Sequence, residues 1–104
     1  MPEVPLEEMT AAGDDALVLD VREDDEYTAG HVPGAVLIPL GTLAERMPEL
    51  PRDQPVYLLC GGGGRAGKAA ELLTAAGYDA RSVAGGTRAW VGSGRDVVTG
   101  PAPR

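Results

Sequence analysis

Short apolar runs alternate with polar or helix-patterned segments along most of this chain. Four runs have the length and composition of strands, at residues 17–21, 35–38, 56–59 and 81–84. Residues 23–28 predict a brief acidic helix, residues 42–47 predict one or two helical turns, and residues 66–76 predict a helix that stops at Gly77. Strands that alternate with helices predict βαβ units, and hence a parallel sheet with helices on both faces.

The two ends of the chain have a weaker pattern. Residues 1–15 and 92–104 show no clear periodicity, and the repeated Pro and Gly of the last five residues predict a frayed tail. Gly85 and Gly86 open a short segment that contains Trp90. We assign Trp90 to the core or to a packing lid over this segment.

Size and composition indicate one folded domain over residues 1–104. Of these residues 43% are hydrophobic and 24% are charged, as in an ordinary globular domain, and the length is too short for the two halves of a full dinucleotide enzyme. The formal net charge of −7, without a basic cluster, argues against nucleic acid and membranes as partners. Because neither a secretion signal nor a membrane-length apolar run is present, we expect a cytoplasmic location.

The segment that follows the third predicted strand matches three motifs at once. From residue 56 to residue 68 it reads VYLLCGGGGRAGK. A nucleotide P-loop requires Ser or Thr after its lysine, where this chain has Ala69. A dinucleotide-binding loop requires an acidic residue about twenty positions later, where the chain has Arg81 and Ser82. The glycine pattern of that loop is nearly automatic in a run of glycines, so neither nucleotide interpretation is favoured.

The third interpretation is a cradle for a reactive thiolate. Cys60 is the only cysteine, so it is either inert packing or a reactive thiol. A strand delivers Cys60 to the sheet edge, the glycines let backbone N–H groups turn inward, and the next helix points its positive end at the same place. Arg65 adds a permanent cation with a planar donor fork, and such surroundings stabilise a thiolate.

The alternative is a buried cysteine followed by a flexible glycine linker, since free cysteines are among the most buried residues. Four consecutive glycines cost backbone entropy on folding. They therefore predict a backbone geometry that side chains would obstruct, which favours the reactive thiol.

Three separated blocks of the sequence, within about residues 17–91, resemble the rhodanese family of single-domain sulfurtransferases. The first block reads LVLDVREDDEYTAGHVPGAVLIPL and is similar to the family's first signature. The second, CGGGGRA, resembles the active-site loop, with Cys60 at the sulfur-carrying position and Arg65 at the loop-closing position. The third, GGTRAW, resembles the closing signature.

The resemblance implies a small three-layer α/β domain with a central parallel sheet of about five strands. It implies transfer of sulfane sulfur through a Cys60 persulfide, from thiosulfate or a persulfide donor to cyanide or a thiol, with no metal or organic cofactor. The expected partners are therefore a small sulfur-containing anion or persulfide, a thiophilic acceptor and, as a further donor, a sulfur-relay protein. The residues expected to bind the substrate are Gly61, Gly62, Gly63, Gly64, Arg65 and Ala66.

The loop departs from the family pattern in its side chains. Many members carry basic or polar residues within the loop and Ser or Thr after the arginine, whereas this chain has glycines and Ala66. The missing hydroxyl and cations weaken attraction for thiosulfate, which favours a persulfide delivered by a partner protein or a small molecule.

Two other functions stay open at this point. Related phosphatases have one more residue between cysteine and arginine, so the shorter loop favours a sulfur-sized pocket over dephosphorylation. A non-catalytic rhodanese-like regulatory or sulfur-carrier module is the main alternative, because a fold does not guarantee activity.

Residues outside the loop are candidates for supporting roles. His31, the only histidine, is a conceivable base for Cys60, but its position in a turn favours a structural role. Asp20 and Arg22 lie at a strand end, where sites form in open α/β sheets, and we expect an ion pair that fixes neighbouring loops. Lys68 either adds positive potential near the loop or is an ordinary solvated lysine.

Overall fold

In the computed structural model, which describes residues 3–61 and 64–104, five strands form one parallel sheet. In chain order the strands are β1 (Glu3–Val4), β2 (Leu17–Asp20), β3 (Val36–Leu37), β4 (Val56–Leu59) and β5 (Ala80–Val83). Their order across the sheet is β1-β5-β4-β2-β3, and every neighbouring pair is parallel. The predicted parallel sheet is confirmed, with β4 at its centre.

Five α-helices occur in the described part of the chain. They are α1 (Leu6–Ala12), α2 (Asp24–Ala29), α3 (Leu43–Arg46), α4 (Arg65–Ala75) and α5 (Gly86–Gly92). Helix α4 begins one residue before its predicted start and is followed by Gly77 at a φ of 95°, a left-handed conformation that favours glycine. Short 3-10 turns flank α3, and Pro48 lies inside the second of them.

The core lies on both faces of the sheet because side chains alternate along each strand. On one face Val56, Leu58 and Cys60 pack with the buried side of α4. On the other face Tyr57 and Leu59 pack with residues of α1 and α2. This arrangement confirms a three-layer α/β domain with helices on both faces. No helix in the described part of the chain is both long and apolar enough to cross a bilayer.

Residues 3–12 and 96–104, near the two ends of the chain, are more ordered than their sequence predicts. Strand β1 pairs with β5 at the sheet edge, through Glu3 opposite Ser82 and Val4 opposite Val83. Because β1 has only two residues, its pairing depends on a partner almost eighty residues away and leaves no local pattern. Helix α1 then covers one face with Leu6 and Met9.

The prediction of a frayed C-terminal tail is wrong. Residues 96–104, here called the C-terminal strap, cross the segment that joins α2 to β3. Val98 and His31 exchange backbone hydrogen bonds of 2.9 Å, and the N–H of Gly100 donates to the carbonyl of Thr28 at 2.8 Å. The N–H of Gly34 donates to the carbonyl of Pro103 at 2.9 Å. Partners distant in sequence therefore order a segment whose own residues favour no regular structure.

Candidate functional site

A cleft opens at the carboxyl edge of the sheet, beside the residue that follows β4. Its volume is about 610 Å³. Crevices at this edge are the usual binding places of open parallel sheets. Residues from α2, from the loop after β4, from α5 and from the C-terminal strap share the lining. The lining residues that matter below are Arg22, Glu26, Gly61, Thr87, Arg88, Val91 and Val97.

Cys60 lies directly after β4 at the base of this region. Its residue is 2% exposed, and it belongs to the apolar cluster that also contains Ala66. Its carbonyl oxygen accepts a 2.9 Å hydrogen bond from the N–H of Thr87, which joins the end of β4 to the start of α5. Cys60 therefore belongs to the core, while the next residue, Gly61, lines the cleft. Its catalytic role stays a prediction.

The paired glycines before α5 permit this close approach. Gly85 and Gly86 have φ values of 74° and 51°, in the left-handed region. A Cβ on Gly86 would lie 2.1 Å from the carbonyl oxygen of Cys60, well inside van der Waals contact. The two glycines thus bring the first turn of α5 against the cysteine.

The glycines of the loop itself are less constrained than predicted, where they are described. Neither Gly61 nor Gly64 has a positive φ. A Cβ on Gly64 would meet nothing within 4 Å, and one on Gly61 would lie 3.5 Å from Arg65 Nη2, an ordinary contact. The prediction that side chains would obstruct the backbone is therefore wrong for these two positions. The roles predicted for Gly62 and Gly63 lie outside the described residues.

Arg65 forms a two-bond ion pair with Glu26 at the edge of the loop. Arg65 Nη1 and Nη2 donate to Glu26 Oε1 and Oε2 at 2.7 and 3.0 Å. The hydrogen bonds from Arg65 are the main reason that the pKa of Glu26 falls to about 2, and the N–H of Glu23 adds to the effect. The same contact holds the pKa of Arg65 above its usual value, and a thiolate on Cys60 adds to that shift. Arg65 therefore carries its charge beside both Glu26 and Cys60.

Asp20 and Arg22 form a second pair, and this one is closed off from water. The carboxylate of Asp20 is fully buried and accepts hydrogen bonds of 2.9 to 3.1 Å from Arg22 Nε and Nη2, and one of 3.0 Å from the Arg22 N–H. Arg22 Nη2 also donates to the carbonyl of Gly30 at 2.8 Å. The expected ion pair between neighbouring loops is present, and it ties β2 to the end of α2.

His31 is fully buried beneath the C-terminal strap. Its Nδ1 and Nε2 each lie 2.8 Å from a carbonyl oxygen, of Tyr27 and of Ala102. Its ring stacks on Tyr27 with centroids 3.7 Å apart and planes 5° apart. Both ring nitrogens thus face backbone oxygens rather than the cleft, a geometry that fits the structural role expected for this residue.

The remaining predicted residues occupy three environments: the core, the exposed surface and a half-buried position. Ala66 is 2% exposed and packs in the core, so its substrate-binding role stays a prediction. Gly64 and Lys68 are exposed on the loop end and the first turns of α4. Trp90 is half-buried and donates from Nε1 to the carbonyl of Asp96 at 2.8 Å, which fixes the start of the C-terminal strap.

The sequence did not predict several of the residues that line the cleft. Glu26 and Arg65 are 39 positions apart in the sequence, so no local pattern predicts their contact. Arg88 follows the glycine pair that the sequence singled out, and that pair was the available signal for a site contribution from α5. Val97 enters the cleft only because the C-terminal strap is ordered.

Two further features define what the described residues offer chemically. A second cavity of about 340 Å³ lies beside the start of β2, lined by Met9, Asp14 and Trp90 among others, but it contains neither Cys60 nor the loop. Among residues 3–61 and 64–104, no group of three or more His, Cys, Asp and Glu side chains is placed to hold a metal ion.

Comparison with known proteins shows the family. Residues 5–93 match the rhodanese-like domain, and the chain belongs to this family. It is 32% identical over 94 residues to a protein of Allochromatium vinosum named "Sulfurtransferase", a match that covers 89% of this chain and 88% of that protein. The crystal structure of a rhodanese-related protein from Thermoplasma volcanium superposes with a TM-score of 0.87 at 30% identity, over 94% of this chain and 98% of that one.

A longer relative shows the same domain in a larger protein. The chain is 38% identical over 96 residues to the Bacillus subtilis (strain 168) protein named "Putative sulfur carrier protein YrkF". The match covers 88% of this chain but only 52% of that relative. The chain thus spans about half the length of this curated relative.

Proposed function

We propose that this protein is a sulfurtransferase that carries sulfane sulfur on Cys60. The observation that carries the proposal is the placement of the single cysteine at the end of the central strand, next to Arg65, in a rhodanese-like chain. The names of the Allochromatium and Bacillus relatives support sulfur transfer or sulfur carriage as the general activity.

In the first step the Cys60 thiolate attacks the outer sulfur of the donor. With thiosulfate, a bond forms between the two sulfurs, the sulfur–sulfur bond of thiosulfate breaks, and its electron pair leaves with sulfite. Cys60 then carries a persulfide. In the second step an acceptor thiolate or cyanide attacks the outer sulfur of this persulfide, and the electron pair returns to the Cys60 sulfur. The enzyme divides one difficult transfer into two displacements, without an external oxidant or reductant.

Arg65 is the residue expected to favour both anionic states. Its guanidinium lies beside the loop, and a thiolate on Cys60 would raise the pKa of Arg65. A planar guanidinium binds sulfur oxyanions through two parallel hydrogen bonds. Glu26 neutralises this cation when no donor is bound, so a donor must displace or share the carboxylate.

The cleft fits a persulfide donor at least as well as thiosulfate. The described loop residues Gly61 and Gly64 add no cation, and Ala66 offers no hydroxyl. Thiosulfate is doubly charged and meets one carboxylate, Glu26, in the cleft lining. We therefore propose a persulfide from a sulfur-relay protein or a small molecule as the better donor, with thiosulfate as a slower one.

Intact-mass measurement after incubation with thiosulfate tests the proposal. We expect the protein to gain the mass of one sulfur atom, to lose it on addition of cyanide with formation of thiocyanate, and to gain nothing as the Cys60→Ser variant. Incubation with a small alkyl persulfide gives the same product faster. Failure to gain sulfur from either donor, with the fold intact by circular dichroism, contradicts the proposal.

A carrier or regulatory module without turnover is the second candidate, and one observation favours it. Cys60 is 2% exposed, so a small acceptor thiol would have restricted access to a sulfur atom carried there. A module that only carries sulfur gains the atom but releases it to no small thiol. Single-turnover release from the loaded protein therefore separates the two functions.

A further inference from the structure

Arg88 lies in the first turn of α5 and lines the cleft, but the proposed reaction gives it no role. Three arginines lie in or beside the cleft: Arg22, Arg65 and Arg88. Arg22 is paired with Asp20 and Arg65 is paired with Glu26. Among residues 3–61 and 64–104, no carboxylate pairs with Arg88, which is exposed. With the other two arginines neutralised, this guanidinium is the cation left to attract an anionic group.

Thr87, the neighbour of Arg88, has a hydroxyl with unused hydrogen-bonding capacity. Its residue is 6% exposed and lines the same cleft. Within the described part of the chain, Thr87 Oγ1 is the one buried side-chain oxygen or nitrogen without a hydrogen-bond partner. Buried hydroxyls are nearly always satisfied, so an unsatisfied one at a cleft requires an explanation. The N–H of Thr87 donates to the carbonyl of Cys60, which places this hydroxyl close to the cysteine backbone.

Apolar side chains complete the same wall of the cleft. Val91 is 53% exposed and Val97 is 38% exposed, and both line the cleft. In the described residues only one other large hydrophobic, Leu72, is comparably exposed. Two exposed valines beside an unpaired cation form a surface suited to a short aliphatic chain that ends in an anion.

We propose that Thr87, Arg88, Val91 and Val97 form an acceptor subsite for a small thiol that carries a carboxylate. This inference rests on the proposed sulfur transfer at Cys60. Arg88 binds the carboxylate, the two valines contact the aliphatic carbons, and the Thr87 hydroxyl donates to the sulfur end of the acceptor. Thr87 lies deeper in the cleft than Arg88. These positions set the orientation of the bound thiol, with its sulfur toward Cys60.

The reaction in this subsite is the second displacement. The acceptor thiolate attacks the outer sulfur of the Cys60 persulfide, a new sulfur–sulfur bond forms, and the old one breaks. Its electron pair stays on the Cys60 sulfur, and the acceptor departs as a persulfide. Arg88 is a specificity-determining residue for this step.

The kinetic test compares two acceptors of equal chain length on protein that has first been loaded. One acceptor is the mercaptopropionate isomer whose thiol lies at the end of the chain opposite the carboxylate. The other is the corresponding mercaptopropanol, which carries a hydroxyl in place of the carboxylate and is neutral. We expect wild-type protein to release sulfur about two- to fivefold faster to the carboxylate thiol, the range of one exposed ion pair. Arg88→Gln removes this preference, and the use of protein that has first been loaded keeps any change in loading out of the comparison. Arg46→Gln, which removes the same charge far from the cleft, keeps the preference.

Thr87 is tested with a matched pair of substitutions. Thr87→Val keeps the shape of the side chain and removes the hydroxyl, so we expect slower release to both thiols. Thr87→Ser keeps the hydroxyl and retains most of the wild-type rate. Equal rates in Thr87→Val and wild type overturn the role of the hydroxyl.

A binding measurement tests the subsite independently of the sulfur-transfer reaction. Methylsulfanylpropionate has the same carboxylate and chain but no thiol. We expect it to shift the amide resonances of Thr87, Arg88 and Val91 in the full chain, with saturation, and to lose this effect in Arg88→Gln. If Cys60 takes up no sulfur but these shifts occur, the proposed function fails while the anion subsite stands. Absence of shifts, or equal acceptor rates in wild type, overturns the subsite.

Discussion

Two arginine–carboxylate pairs lie beside the same cleft and differ mainly in their access to water. The shortest contact is 2.9 Å between Arg22 and Asp20 and 2.7 Å between Arg65 and Glu26. The side chains of the first pair are 9% and 0% exposed, whereas those of the second are 35% and 37% exposed. The first pair also binds backbone groups of Arg22 and Gly30. Similar hydrogen bonds can therefore serve two purposes, because one pair is embedded in the fold and the other can exchange partners.

The energetic consequence differs accordingly. Removal of one partner from a buried pair leaves an uncompensated charge in the interior and is strongly destabilising. An exposed pair contributes little, since water and salt replace the lost partner. We therefore assign Asp20 and Arg22 to the architecture of the site and Arg65 to its chemistry, and the following variants test that division.

Asp20→Asn is expected to have the largest effect. It leaves Arg22 buried without a countercharge, so the free energy of unfolding should fall by about 3–5 kcal/mol. Urea denaturation of the purified protein measures this change. Glu49→Gln, which breaks the exposed pair with Arg46, is the control and should leave stability nearly unchanged. An equally small loss in Asp20→Asn would show that the buried pair is not structural.

Arg65→Ala should affect donor use more than folding. Loss of a charged hydrogen-bond donor to an anion weakens its binding by about 1.5–3 kcal/mol, or roughly ten- to a hundredfold in kcat/KM with thiosulfate. The free energy of unfolding should change by less than about 1 kcal/mol, because the pair with Glu26 is half-exposed. Unchanged turnover together with a collapsed melting temperature would assign Arg65 to the fold instead.

Glu26→Gln should have a smaller effect in the opposite direction on donor affinity. Glutamine keeps an acceptor for the N–H of Glu23, which caps α2, but removes the negative charge that neutralises Arg65. We expect KM for thiosulfate to fall about two- to fivefold, the range of one exposed charge interaction. Steady-state kinetics at fixed ionic strength measures it. A higher KM would mean that Glu26 holds Arg65 in its productive orientation.

The smallest expected effect is the change in folding stability at acid pH that comes from the pair of Arg65 and Glu26. Because Glu26 has a pKa of about 2 in the folded protein and 4.5 in the reference state, its contribution is fully present above pH 4.5 and is lost as the pH falls toward 2. Screening at this half-exposed position keeps the contribution below about 1 kcal/mol. The stability difference between wild type and Glu26→Gln should therefore shrink from about pH 5 to about pH 3. A difference that grows on acidification contradicts the ion pair.

Local patterns predicted the middle of this fold well. The strands β2, β4 and β5 and the helix α4 follow from apolar runs and helical spacing, and Gly77 marked the end of α4. The glycine pair before α5 marked the start of that segment, whereas its close approach to the carbonyl of Cys60 was not predicted. Each of these signals is carried by residues that are neighbours in the sequence.

The features that the sequence did not predict depend on distant partners. Strand β1 is ordered by β5, and the C-terminal strap is ordered by the backbone at Thr28, His31 and Gly34. The ion pair of Glu26 with Arg65 likewise joins α2 to α4. Composition alone cannot show such contacts, because the glycines and prolines that read as disorder are also compatible with an extended segment held by another part of the chain.

The rate of Cys60 alkylation at neutral pH tests the central claim most directly. The sulfur lies at a residue that is 2% exposed, yet the proposed chemistry requires it to be ionised and open to small reagents. We predict that iodoacetamide modifies Cys60 faster in the folded protein than in the same chain unfolded in urea, because the proposed reaction requires a nucleophilic sulfur in the folded state. Slower modification in the folded protein would show an inert, shielded thiol and would contradict the account.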